Sequence, residues 1–103
     1  DLAAGHLAAL TKLGQVDEPV STWNLGTGHG YSVLDVIRAF EKASGKKVAH
    51  KIVERRPGDV AMSYANASLA KELLGWTAER TIDDMCRDAW NWQVKNPNGY
   101  RAA

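Results

Sequence analysis

Apolar positions recur at helical spacing in four stretches of this chain and alternate with polar ones in short runs between them. Residues 2–14 predict a helix with Ala3, Leu7 and Leu10 on one face and Gly14 as its stop. A second helix opens at Ser32, where Asp35 in the third position completes a capping box. Val33, Val36, Ile37 and Phe40 form its apolar stripe, and Gly45 ends it. Asn66 is the expected N-cap of a third helix running through Leu74 to Gly75. The fourth starts at Thr81 with Asp84 at its third position and turns Ile82, Met85, Cys86, Ala89 and Trp92 inward. It runs to about Lys95, because Pro97 forbids continuation. Val20 to Leu25, Lys47 to Val53 and the brief Met62-Ser63-Tyr64 predict short strands; in the second, Val48 shares a face with His50 and Ile52. The order helix–strand–helix–strand–helix–helix is α/β in class, with short strands and about four helices. Two or three short strands do not complete a doubly wound sheet.

Composition narrows the picture. At 103 residues the chain is one domain or part of one, and 45% hydrophobic residues with four tryptophans allow a core. Thirteen basic against 12 acidic residues leave a net charge of +1. So even a balance gives no field for nucleic acid or an anionic membrane, and any anion binding must be local. No run of 18 or more apolar residues occurs, and Asp1 and His6 disrupt a signal-peptide pattern. The single cysteine, Cys86, excludes an internal disulfide and fits a reducing, cytoplasmic setting. The opening residues are already helical in pattern, which predicts a piece of a longer protein.

The densest chemistry lies in Glu54-Arg55-Arg56-Pro57-Gly58-Asp59. Arginine's fork of donors matches phosphate oxygens two at a time, and an ionised aspartate across a tight turn only accepts. That pairing suits a nucleoside diphosphate, with arginine on the diphosphate and the carboxylate on a ribose hydroxyl. The plainer alternative is a solvated charged turn holding an Arg–Glu pair. The glycine loop Gly26-Thr27-Gly28-His29-Gly30-Tyr31-Ser32 sits where a dinucleotide fingerprint would, but Tyr31 takes the place of its third glycine. It reads as a turn exposing backbone N–H groups rather than as a cofactor site.

Scattered histidines (His6, His29, His50) and a lone cysteine give no metal-ligand spacing, and no metal is expected. Cys86, on an apolar helix face, reads as an inert hydrophobe. No tyrosine is followed by lysine four residues on, so no proton-transfer dyad is present and no catalytic residue is expected here. Trp90 and Trp92 point about 200° apart on a helix, so at most one faces this chain's own core and the other needs a partner.

Taken together, Asp1 to His6, Trp23 to Val36, Arg55 to Asp59, Asn66-Ala67-Ser68, Leu73 to Trp76 and Trp90 to Gln93 resemble the C-terminal third of the UDP-hexose 4-epimerases, members of the extended short-chain dehydrogenase/reductase family. The resemblance implies the C-terminal, substrate-binding fragment of such an enzyme. It also implies a separate N-terminal Rossmann domain carrying NAD and the catalytic tyrosine and lysine, and a full-length homodimer. The implied reaction interconverts UDP-glucose and UDP-galactose, the fragment alone being inactive. By this resemblance Arg56 grips the diphosphate, Asp59 lies near the ribose hydroxyls, Val33 lines the nucleotide pocket and Ser63 stands beside the sugar ring. Arg55, pointing away, pairs with surface acids. A serine at position 63 leaves room for an N-acetyl group and so implies that UDP-N-acetylhexosamines are accepted. Two other readings stay open: another nucleotide-sugar epimerase or dehydratase, or a stand-alone anion-binding or interaction module.

Overall fold

The computed structural model describes residues 1–15 and 19–100. Four helices are present among them: α1 (Leu2–Leu13), α2 (Val33–Ser44), α3 (Ser68–Leu74) and α4 (Ile82–Lys95). The chain divides into two compact units, one of Asp1–Gly30 with Val60–Glu79, the other of Tyr31–Asp59 with Arg80–Ala103. The backbone visits each unit twice.

In the first unit α1 packs beside α3. Ala70 is fully buried and Trp76 nearly so. The indole Nε1–H of Trp76 donates to the carbonyl oxygen of Asp1 (3.0 Å), and the Asp1 carboxylate accepts the Glu79 N–H (3.0 Å). The buried position of α1 is Gly5, against Leu25 and the Trp76 ring. The face bearing Ala3, Leu7 and Leu10 is open, and its four leucines Leu2, Leu7, Leu10 and Leu13 are 51–66% exposed. The inversion has a steric cause, since only a residue without a side chain lets the indole approach this closely. α3 begins at Ser68, one residue later than a cap at Asn66 would give. Even so, the Asn66 amide oxygen accepts both the N–H (3.0 Å) and the hydroxyl (2.6 Å) of Ser68. Gly75, at φ +64°, closes the helix in the left-handed region that glycine favours.

The second unit is built on α2 packed against α4. Both helices carry the capping box expected of them. Ser32 Oγ accepts the Asp35 N–H while the Asp35 carboxylate accepts the Ser32 N–H, and Thr81 and Asp84 repeat the arrangement. Ala39 and Cys86 are buried at the contact, and Phe40 meets Trp90 edge to face with ring centroids 6.0 Å apart. The ammonium of Lys46 lies 5.1 Å from the Trp90 ring centre, a cation–π contact. Trp90, not Trp92, is therefore the inward tryptophan of α4. Met85 and Ala89 are also exposed, and on α2 Val33 stands out at 75% exposure. A broad helical stripe leaves room for a rotation of one position, and the edge-to-face pairing with Phe40 selects it.

The short strands are not borne out, for no strand occurs among the described residues. Burial does alternate from Ser21 to Leu25, as a strand's would, but the segment has no ladder partner there. Alternation specifies which face is covered, whereas a strand also requires a neighbour's backbone. Lys47 to Val53 lacks a partner likewise; its Val48 N–H is taken by the Glu41 side chain (2.9 Å), while His50 and Ile52 are exposed.

Candidate functional site

The Arg-Arg-Pro-Gly-Asp segment forms a closed turn in the second unit. Pro57 presets φ at the first central position, and Gly58 takes φ +87° at the second, the pattern of a type II turn. The Asp59 N–H closes it by donating to the Arg56 carbonyl (3.2 Å). The aspartate side chain then folds back over the turn. Its Oδ2 accepts from the Arg56 backbone N–H (3.3 Å) and from Nε (3.4 Å), and its Oδ1 accepts from Nη2 (3.4 Å). The turn thus holds an Arg–Asp pair instead of an Arg–Glu pair. Proximity across an i, i+3 turn was the signal in the sequence for this contact, and reading the aspartate only as an outside acceptor missed it.

Chemically the turn offers one strongly exposed guanidinium, 84% accessible at the side chain, tethered on one edge by a carboxylate. Arg55 is exposed and makes no hydrogen bond or ion pair among the described residues. Val33 belongs to the same unit as Arg56 and Asp59, at the first turn of α2, with its isopropyl group free. Ser63 belongs to the other unit and is exposed, outside any helix. A groove of about 590 Å³ in that unit is lined by Thr27, Gly28, Asn66, Lys71 and Trp76, among others, and does not include Ser63.

The perturbed groups lie elsewhere. Hydrogen bonds from the backbone and side chain of Thr81, then Arg87, hold the Asp84 carboxyl at about 2. Asp35 is lowered in the same way by Ser32 and Arg38, and burial pushes the Cys86 thiol up. Both carboxylates serve helix ends, and the thiol belongs to packing. No group of three His, Cys, Asp or Glu side chains placed to hold a metal occurs among the described residues.

No protein-family model matches the chain. Individual proteins do. It is 61% identical over 101 residues to UDP-glucose 4-epimerase of Drosophila melanogaster and 58% identical over 100 residues to that of Homo sapiens; each match covers 97% of the chain. The crystal structure of UDP-glucose 4-epimerase from Bifidobacterium longum, a complex with NAD+ and UDP, superposes with a TM-score of 0.83 at 56% identity over 96% of the chain. These matches make the chain similar to nucleotide-sugar epimerases. More narrowly, the chain is homologous along its whole length to the C-terminal part of UDP-glucose 4-epimerase. It spans 29% of the Drosophila relative, 28% of the human one and 29% of the Bifidobacterium chain.

Proposed function

We propose that the chain is the UDP-sugar-binding portion of a UDP-glucose 4-epimerase, with Arg56 as its diphosphate contact. The observation that carries this reading is the end-to-end match, at more than half identity, to epimerases of which one is a complex with UDP. The turn supports it locally, because Arg56 presents an open fork of donors to solvent. In this role Arg56 binds the unreactive end of the substrate, and that binding energy orients the sugar for chemistry elsewhere. Val33 supplies an apolar wall for the nucleotide, and Asp59 stands near the ribose.

NAD would supply the hydride chemistry of the whole enzyme, but the described residues do not fit it. Tyr31 fills the third glycine position, and a Cβ on Gly26 would meet the Ala65 Cβ at 2.8 Å, so this loop is packed on its own chain. The cofactor therefore belongs to the part of the enzyme outside this chain. The pairing of two full-length copies rests on the resemblance alone. No helix among the described residues is long and apolar enough to cross a membrane.

Replacing Arg56 by alanine in the intact enzyme tests the reading. A charge-assisted contact contributes about 1.5–3 kcal/mol, so UDP affinity should fall by about 10- to 150-fold in a calorimetric titration. Unchanged affinity would refute it. The finer reading concerns the sugar: Ser63, small and exposed, leaves space for an N-acetyl group. Ser63→Tyr should depress turnover of UDP-N-acetylglucosamine while sparing UDP-glucose, and equal effects on both would end that idea.

A further inference from the structure

We infer that Lys51 and Arg55 steer the anionic nucleotide toward Arg56, acting by charge at a distance and not by touching the ligand. This rests on the proposed UDP-binding role of Arg56 and goes beyond it, from the bound contact to the rate of encounter. The chain's net charge of +1 hides an uneven distribution. Residues 31–59, the stretch that carries Arg56, hold seven Lys or Arg against four Asp or Glu, a net +3, so the remaining residues sum to −2. A local excess of one sign raises the concentration of an oppositely charged ligand nearby and speeds its association.

Pairing decides which of these charges are free to act. Four basic side chains of the stretch have a carboxylate partner: Arg38 on Asp35, Lys42 on Asp83, Lys47 on Glu41 (3.9 Å) and Arg56 on Asp59. The Lys46 ammonium lies over the Trp90 ring. Lys51 and Arg55 are exposed and make no hydrogen bond or ion pair among the described residues, and the same holds for Glu54. Chain geometry fixes their reach. Arg55 adjoins Arg56, and Lys51, five residues away, has its Cα within ~18 Å of Arg56 Cα even at full extension. The screening length is about 30 Å at 0.01 M salt and about 3 Å at 1 M. Both charges therefore act on a diphosphate approaching Arg56 in dilute buffer and are silenced in strong salt. In water, a unit charge ~10–18 Å from a doubly charged diphosphate changes its encounter rate by about 2- to 4-fold. Glu54 should act with the opposite sign, which supplies an internal control.

Stopped-flow mixing of UDP with the intact enzyme, followed by protein fluorescence, separates kon from koff. The variants are Lys51→Gln, Arg55→Gln, both together, and Glu54→Gln. Each lost positive charge should lower kon for UDP by about 2- to 4-fold in dilute buffer with koff unchanged. Glu54→Gln should raise kon by a similar factor, and salt at about 0.5 M should erase all these differences. Affinity for uridine, which carries no phosphate, should stay constant throughout and so confirm an intact site. A rise in koff at constant kon would make the altered side chain a direct contact and overturn the inference. It is also overturned if uridine affinity falls with that of UDP, if Glu54→Gln slows association as the lysine variant does, or if strong salt leaves the differences standing. Arg56→Ala is titrated alongside. Should it leave UDP affinity unchanged, the UDP-binding reading fails and carries this inference with it. Should it weaken UDP while the Lys51 and Arg55 variants associate at the wild-type rate, the steering alone is refuted.

Discussion

Two glycines on or beside α1 should respond to the same substitution with opposite signs. Gly5 is the buried point of the helix, and a Cβ built there would lie 2.6 Å from Leu25 Cδ1, 3.1 Å from Cδ2 and 3.3 Å from Trp76 Cε2. Comfortable carbon contacts begin near ~3.5 Å. The leucine methyls can swing aside. The indole cannot, because its Nε1–H is bonded to the Asp1 carbonyl at 3.0 Å. Overpacking of this kind costs about 1–3 kcal/mol, while alanine recovers about 1 kcal/mol of helix propensity over glycine. Gly5→Ala should therefore destabilise by about 1 kcal/mol. Gly14 has φ −76° and nothing within 4 Å of a built Cβ, so Gly14→Ala should stabilise by about 0.4–1 kcal/mol through the unfolded chain. Urea denaturation followed by tryptophan fluorescence reads both as midpoint shifts at constant slope. Adding Leu25→Ala should then relieve part of the Gly5→Ala cost. If Gly5→Ala stabilises as much as Gly14→Ala, the close approach of α1 to Trp76 is wrong.

The capping boxes give a pH prediction. The folded Asp84 pKa, about 2, lies below its ordinary 3.8. Its stabilising contribution is therefore complete above the ordinary value and is lost as pH falls toward 2. Asp84→Asn should flatten the acid limb of a melting-temperature profile, and Thr81→Ala should cost about 1 kcal/mol at neutral pH. The two neighbouring tryptophans of α4 should separate cleanly in denaturation. Trp90→Ala loses the Phe40 and Lys46 contacts and should cost at least twice as much as replacing Trp92, a residue 46% exposed, by alanine. Leu7→Ser and Leu10→Ser, on the open face of α1, should each change folding free energy by less than about 1 kcal/mol. They should also lower self-association of the isolated chain in sedimentation velocity, because they break up an exposed apolar patch.

What was legible in the sequence was local. Ser32 with Asp35 and Thr81 with Asp84 close capping boxes within one helical turn, and Gly45 and Gly75 end helices through their own backbone freedom. Such features need no distant partner, so their spacing alone suffices. The larger misreadings concern what a segment meets. Val20 to Leu25 has a strand's alternation without a ladder. The leucines of α1 look like a core stripe, yet Gly5 is the buried residue, because closeness to Trp76 is decided some seventy positions away. The inward tryptophan of α4 was likewise settled by Phe40 on another helix.

The same division explains why the candidate site could be found at all. Arg56 and Asp59 face each other because a proline and a positive-φ glycine stand between them, so a four-residue stretch specifies both the chemistry and its geometry. Gly58→Ala tests that dependence, for it disturbs the turn while leaving both charged side chains in place. A side chain at φ +87° is strained, and nothing within 4 Å of the built Cβ adds a clash. If the turn is what aligns Arg56, this substitution should weaken UDP and pyrophosphate together. If binding is unaffected, Arg56 acts as a free charge whose position owes nothing to the turn, and the geometric account of its aim is refuted even though its contact with phosphate stands.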